Sequence, residues 1–365
     1  MALQCGIVGL TNIGKTTIFN CFSETKAETS NFAFSTSKSN IGKVDVPDWR
    51  LYELEKCQPT ERIIPTTVEI VDLPGLAKGS SKGEGVGNKF LGDLRNTDAI
   101  IHVVRCFDDP NLSHIEGSVD PVRDIEILDF ELQVKDLESV EKKIQRLNKL
   151  IKAGEKEAKH GLEVMEKFRN HLENFQNIRT IDLSDEDKKH GADLFLLTDK
   201  PVMYVCNVDS ASAAKGNKYV EKVTEYLKGQ KVEILVIAAQ LEEEIAELEE
   251  AADREAFLAD AGLVEPGVNK LLRAAYSMLN LETFFTVGPK EIRAWTIKKG
   301  ATAPQAAGAI HSDLERGFIR AEVMKYNDYI ALKTEAACKA AGKFYIEGKN
   351  YIVDDGDILH IRFNV

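Results

Sequence analysis

Short apolar runs bounded by turn residues recur along the chain: Leu3–Val8, Val68–Val71, Ile100–Val104, Val202–Cys206 and Val232–Ile237. Runs of this length without alternation predict strands buried on both faces. Helical segments lie between them, and after the first run Ile18 and Phe22 share one helix face. Strands alternating with helices predict an α/β fold, a mostly parallel sheet with helices on both faces. From Ile127 to Phe175 the period changes. Leu137, Ile144 and Ile151 recur every seven residues, with Val140 and Leu147 between them. After Gly154 and Gly161, the residues Leu162, Met165, Leu172 and Phe175 continue the pattern. This predicts an antiparallel helical hairpin of coiled-coil type. Sheet-type runs resume at Val202, so the hairpin is an insertion. Glu242–Asp260 is acidic, Ala-rich and helical in pattern, a solvated face. From Thr283 the texture becomes strands at Ala294–Ile297, Ala321–Val323, Tyr351–Val353 and Ile358–Phe363, with a turn at Asp354–Asp357. The expected domains are 1–125 with 200–282 (sheet), 126–199 (hairpin) and 283–365 (a small α+β module).

Composition narrows the class. Hydrophobic residues make up 43% and charged residues 29% of the 365, the balance of a soluble globular protein. No stretch approaches the roughly 18 consecutive apolar residues of a membrane span. The first residues carry no signal-type segment, which leads us to expect a cytoplasmic protein without membrane partners. Six cysteines lie far apart with no CxxC pair, which reads as reduced thiols and not as a disulfide frame or zinc site. The net charge of −12 argues against coating nucleic acid, and no DNA partner is expected. The charge is uneven, however. From Thr283 onward twelve Lys/Arg face ten Asp/Glu, a net of +2, while the remainder is 35 against 49, a net of −14.

Gly9-x4-Gly14-Lys15-Thr16 matches the P-loop pattern in full, and it follows a strand and opens a helix. The glycines let backbone N–H groups turn toward phosphate oxygens; Lys15 is expected to reach the β- and γ-phosphates and Thr16 to ligate Mg2+. Asp72-Leu73-Pro74-Gly75 follows the second apolar run. There Asp72 can hold a magnesium-bound water, and the Gly75 N–H can sense the γ-phosphate. The next residue is Leu76, where Ras-type GTPases place the glutamine that orients water. Hydrolysis must therefore recruit another group or a partner. Thr36 lies in the window for a second magnesium-ligating hydroxyl, and Gly79–Gly87 reads as a flexible switch loop. The base-recognition segment is Asn207-Val208-Asp209-Ser210, where guanine-specific enzymes carry Asn-Lys-x-Asp. A neutral Ser210 cannot replace the bidentate carboxylate, and Asp209 stands one residue early. The adjoining Ser-Ala-Lys loop is replaced by Ala238-Ala239-Gln240. Asn207, Val208, Ala238 and Ala239 are thus the candidates for lining the base.

The order of Asn12-x-Gly14-Lys15-Thr16-Thr17, Asp72-Leu73-Pro74-Gly75-Leu76, the hairpin, Asn207-Val208 and the final module resembles the YchF / Obg-like ATPase family over essentially the whole chain. Val103–Phe107 and Ile292–Thr296 are similar to it as well. The resemblance implies a P-loop GTPase-type fold with a C-terminal TGS domain, ATP preferred over GTP, and association with ribosomes. It implies ATP on Asn12, Ile13, Gly14, Lys15, Thr16, Thr17 and Val208, magnesium on Thr16 and Thr36, and Phe107 near adenine. The family's proposed catalytic histidine falls on His114. A histidine on that Pro/Asn/Ser-rich loop could swing in to position water in place of the missing glutamine. In potassium-stimulated relatives of the wider class the residue at Asn12 helps hold the ion, so K+ joins Mg2+ as a candidate cofactor. Three departures matter: Asn-Val-Asp-Ser replaces Asn-Val-x-Glu, Ala33 replaces a proline, and Ser35 replaces a cysteine.

The reading that results is a slow, magnesium-dependent ATPase acting as a conformational switch on the ribosome, at its large subunit. Lys298, Lys299, Arg316, Arg320, Lys325 and Tyr326 are its candidate rRNA contacts. Two alternatives stay open: a GTPase in which Asp209 restores guanine recognition, and a nucleotide-binding scaffold whose hairpin docks proteins with little turnover.

Overall fold

The computed structural model describes residues 3–22, 40–76, 86–155 and 157–364. Thr36, Ala33, Ser35 and the glycine-rich stretch from 79 to 85 lie outside them. In chain order the strands are β1 (Gln4–Val8), β2 (Asn40–Asp45), β3 (Ile63–Ile64), β4 (Thr67–Asp72), β5 (Ala99–Arg105), β6 (Val202–Asn207), β7 (Glu233–Ile237), β8 (Leu281–Val287), β9 (Ile292–Lys298), β10 (Phe318–Met324), β11 (Tyr345–Glu347) and β12 (Ile358–Phe363). They form two sheets, ordered β2-β4-β1-β5-β6-β7 and β11-β10-β12-β8-β9-β3. In the first, β4, β1, β5, β6 and β7 run parallel. Every residue of β5 and β6 is buried. That is why these strands read as near-continuous apolar runs, interrupted in β5 by the buried His102. The strands end at the P-loop, Asp72, Arg105 and Asn207, so functional loops gather at their carboxyl ends.

The chain divides into two compact units, 1–42 with 69–271, and 43–68 with 272–365. This differs from the division expected from sequence. The segment 43–68 leaves the sheet domain because Leu51 and Leu54, on the helix Arg50–Cys57, share a core with Phe285, Ile292 and Ile358. The second unit also begins earlier than Thr283. Its other core joins Phe284, Ile297 and Ala303 with Phe318, Val323 and Leu359. The expected strand Tyr351–Val353 is not one. Ile352 makes a single bridge to Thr302, and Tyr351 instead directs its hydroxyl to Asp357 at 2.6 Å.

The hairpin comprises the helices Pro121–Lys152 and Ala158–Glu173. The first starts sharply, with Asp120 as N-cap accepting from Arg123 N and Pro121 in the first turn. Val140, Ile144, Val164, Met165, Phe168 and Leu172 form the buried seam. Phe175, expected on that seam, is 71% exposed. It follows the helix end with φ +56°, and the turn there points its ring away from the seam that Phe168 fills. Within the stem, the fully buried Asp136 carboxylate accepts from Leu197 N (2.9 Å), Thr198 N (2.7 Å) and Thr198 Oγ1 (2.7 Å).

Candidate nucleotide site

β1 delivers the chain into a loop that needs unusual backbone. Gly14 has φ +91°, and a Cβ there would sit 2.3 Å from Asn207 Nδ2. Only glycine fits. Asn12, at φ +61°, takes the left-handed conformation that asparagine tolerates better than most residues. The helix Lys15–Asn20 then begins, anchored by buried Ile18 and Phe19. Ile13 is buried as well, while Thr16 and Thr17 are half-buried.

Lys15 is buried and donates from Nζ to the Leu10 carbonyl of its own loop at 2.7 Å. Burial lowers its ammonium to about 8, with Asp72 pulling the other way. Thr16 Oγ1 donates to Asp72 Oδ2 at 2.9 Å. Burial raises the Asp72 carboxyl, and Lys15 and Thr16 oppose it. Asp72 Oδ1 and Thr11 Oγ1 are buried with no hydrogen-bond partner among the described residues. A hard cation suits this set, because a hydroxyl and a carboxylate with an open lone pair are the oxygen donors magnesium takes. Gly75 lies against the P-loop; a Cβ there would come 2.6 Å from Thr11 Cγ2. Leu76 bridges to Leu10, donates its N–H to Gly9 O at 3.1 Å, and is itself buried.

Asn207 connects phosphate loop and base loop. Its Nδ2 donates to Ile13 O at 2.8 Å and its Oδ1 accepts from Ala239 N at 3.0 Å. Val208 is buried and donates its N–H to Ile237 O, which keeps the buried Ala238 and Ala239 beside it. Asp209 makes a local cap. Its carboxylate accepts from Ser212 N and Ser212 Oγ, capping the short helical turn that follows. Ser210 is exposed.

Phe107 is half-buried, with the Arg105 guanidinium 4.7 Å from its ring centre. Arg105 is a residue whose role sequence reasoning missed. It is buried, and it donates to the carbonyls of Phe107, Leu112 and Asp109. It fastens the first half of the loop after β5. Cys106 N also donates to Asn207 O at 2.7 Å, bringing this loop to the base segment. His114, in the second half, is not free. Its Nε2 lies 2.9 Å from Asp124 Oδ2, and its Nδ1 accepts from Glu116 N at 3.2 Å. Asp124 was also missed. The one signal for it was Asp120-Pro121, which marks a helix start and so places Asp124 in a first turn.

Strand, left-handed loop, buried lysine and Thr–Asp pair define the phosphate site of a P-loop protein with the GTPase fold. Similarity to known proteins carries this further. A family model described as "50S ribosome-binding GTPase" matches residues 4–167, and YchF-GTPase_C, described as "Protein of unknown function (DUF933)", matches 281–364. The chain is 48% identical to "Ribosome-binding ATPase YchF" of Pasteurella multocida and 47% identical to that of Bacillus subtilis, with both chains covered in full. The solved YchF GTPase of Schizosaccharomyces pombe superposes with a TM-score of 0.87 at 36% identity, over 99% of this chain and 97% of that one. The chain belongs to the YchF family.

Proposed function

We propose that the chain binds ATP in preference to GTP, hydrolyses it slowly, and uses the cycle to control binding to the ribosome. The observation that carries this is the set of buried Lys15 and Asp72 with half-buried Thr16 at a strand-to-helix P-loop. It is supported by relatives similar over the full chain that are ribosome-binding ATPases. The base preference is supported by Asp209, whose carboxylate is committed to Ser212. Guanine would need that charge for itself.

Thr16, Asp72 and Thr36 would hold magnesium, and Asn12 a potassium ion. When bound, the metal neutralises charge on the terminal phosphates. Lys15 would leave the Leu10 carbonyl to pair with them, and the Gly75 N–H would contact the γ-phosphate. Buried Leu76 offers water nothing, so His114 is the candidate for positioning the nucleophile. We assign the hairpin to the coiled-coil class, the C-terminal module to TGS domains, and the protein to the cytoplasm. The ribosomal contact is proposed at the large subunit, with rRNA meeting the basic residues of the second unit. No helix among the described residues is long and apolar enough to cross a membrane.

Titration with ATP and GTP tests the base assignment. Tighter GTP binding by about tenfold, equal to about 1.4 kcal/mol, would favour the GTPase reading, which the description of the matching ribosome-binding family supports. His114→Ala with undiminished turnover would remove the histidine. Co-sedimentation with ribosomes that does not weaken with salt would exclude the rRNA contact.

A further inference from the structure

The segment from 113 to 118 runs between two fixed points. Arg105 holds the Leu112 carbonyl at 2.9 Å, and Asp120 caps the first hairpin helix. Between them Ser113, Ile115, Gly117 and Ser118 are exposed. The buried anchor is the His114 side chain, 3% exposed against an Asp124 carboxylate that is 2% exposed. Gly117 turns the segment, with φ +77° and open space where a Cβ would sit.

Two consecutive residues of the hairpin helix grip this segment. Asp124 takes His114 Nε2. Arg123 donates to Ser118 Oγ at 3.0 Å and to Ser118 O at 2.6 Å, and its Nη2 lies 3.1 Å from Asp124 Oδ1. Because the Glu116 N–H donates to Nδ1, the proton of the neutral ring sits on Nε2 and is donated to Asp124. Both ring nitrogens are occupied and the ring is closed to solvent. Held so, His114 can touch neither water nor phosphate.

We infer that Arg123 and Asp124 are positioning residues that hold His114 out of the reaction, and that hydrolysis requires their grip to open. The inference rests on the reading of His114 as the catalytic histidine. Both gripping residues lie in the first turn of the hairpin helix, so a partner that shifts that helix acts on His114 directly.

Two measurements separate the inference from the reading beneath it. Hydrogen exchange reports the grip without reference to catalysis. The Glu116 and Gly117 amides, which donate to His114 Nδ1 and His114 O, exchange faster in Asp124→Asn and Arg123→Gln than in the wild type. Unchanged protection in both variants overturns the inference. Steady-state ATP turnover reports the consequence. Weakening a charge-assisted bond to a neutral one raises kcat by about tenfold in Asp124→Asn, with KM within about twofold because nucleotide contacts are untouched. The rise disappears in the His114→Ala/Asp124→Asn double variant. A fall in kcat to the His114→Ala level in both single variants, with melting temperature unchanged, makes Asp124 an obligatory orienter and overturns the inference. Arg123→Gln, at a side chain already 28% exposed, keeps the test available if loss of the buried carboxylate impairs folding. If His114→Ala alone turns over at the wild-type rate while Asp124→Asn still speeds exchange, the grip stands and the catalytic reading of His114 falls.

Discussion

Removing the Asn207 carboxamide tests how the phosphate loop is held to the base loop. Asn207→Ala deletes a donor to Ile13 O at 2.8 Å and an acceptor from Ala239 N at 3.0 Å, both in buried surroundings. A neutral hydrogen bond contributes about 1 kcal/mol net, and a buried backbone group left without a partner costs about 1–3 kcal/mol. With two groups orphaned, the loss is about 3 kcal/mol. In a unit of roughly 150–250 residues that lowers Tm by about 6–12 °C. The Ile13 carbonyl belongs to the loop that wraps phosphate, so ATP affinity drops by about tenfold or more, at least ~1.4 kcal/mol. Asn207→Asp keeps the acceptor for Ala239 but sets a carboxylate against the Ile13 carbonyl, and should do no better than alanine. Calorimetric melting without nucleotide, followed by titration with magnesium ATP, reads both effects. An alanine variant that melts within about 1 °C of the wild type and binds ATP unchanged would refute the bridge.

Three further outcomes follow from the site. The Lys15 ammonium titrates at about 8 in the folded protein, against an ordinary lysine value of 10.5. The unfolded chain therefore binds more protons between those values, and this group's contribution to stability rises with pH through that window. Polyphosphate favours the charged ammonium, so ATP binding at about pH 8.5 takes up a proton and weakens as pH climbs; titration heats that do not vary with buffer ionisation enthalpy would contradict this. Gly75→Ala drives a Cβ to 2.6 Å from Thr11 Cγ2 and 3.1 Å from Thr11 Cα. The displaced loop is expected to lower kcat/KM by about 10²-fold, measured by phosphate release. Leu76→Gln does not restore glutamine-assisted hydrolysis, because the position is buried against Leu10. It loses about 1–3 kcal/mol for the unpartnered amide, and a variant with faster turnover and an unchanged melting temperature would overturn this account.

Much of the sheet was legible because buried parallel strands carry continuous apolar runs. The expected run Val202–Cys206 falls one residue short of the fully buried β6. In the second sheet the expected strand Ile358–Phe363 coincides with β12, although it pairs antiparallel with β10 and exposes His360, Arg362 and Phe363. The phosphate site was legible because its backbone demands glycine at Gly14 and its chemistry demands Lys15 and Thr16 in fixed spacing. Segment 43–68 was not legible as part of the second unit, since Leu51 and Leu54 show a helix face but not which core receives it. Phe175 looked like a seam residue because heptad spacing does not reveal where a helix ends. Arg105 and Asp124 escaped for a related reason. Their partners are loop carbonyls and a histidine ring, and those contacts exist only once the chain is folded.

By accepting hydrogen bonds from Leu197 and Thr198, Asp136 ties the outgoing helix to the returning chain at the base of the insertion. The two ends of the insertion are riveted together there. The hairpin is thus a cantilever with a fixed root, and a change of length at its free end leaves the three hydrogen bonds at that root untouched. In such a build the far tip carries no part of the sheet's geometry, and the root is where the sheet has a stake.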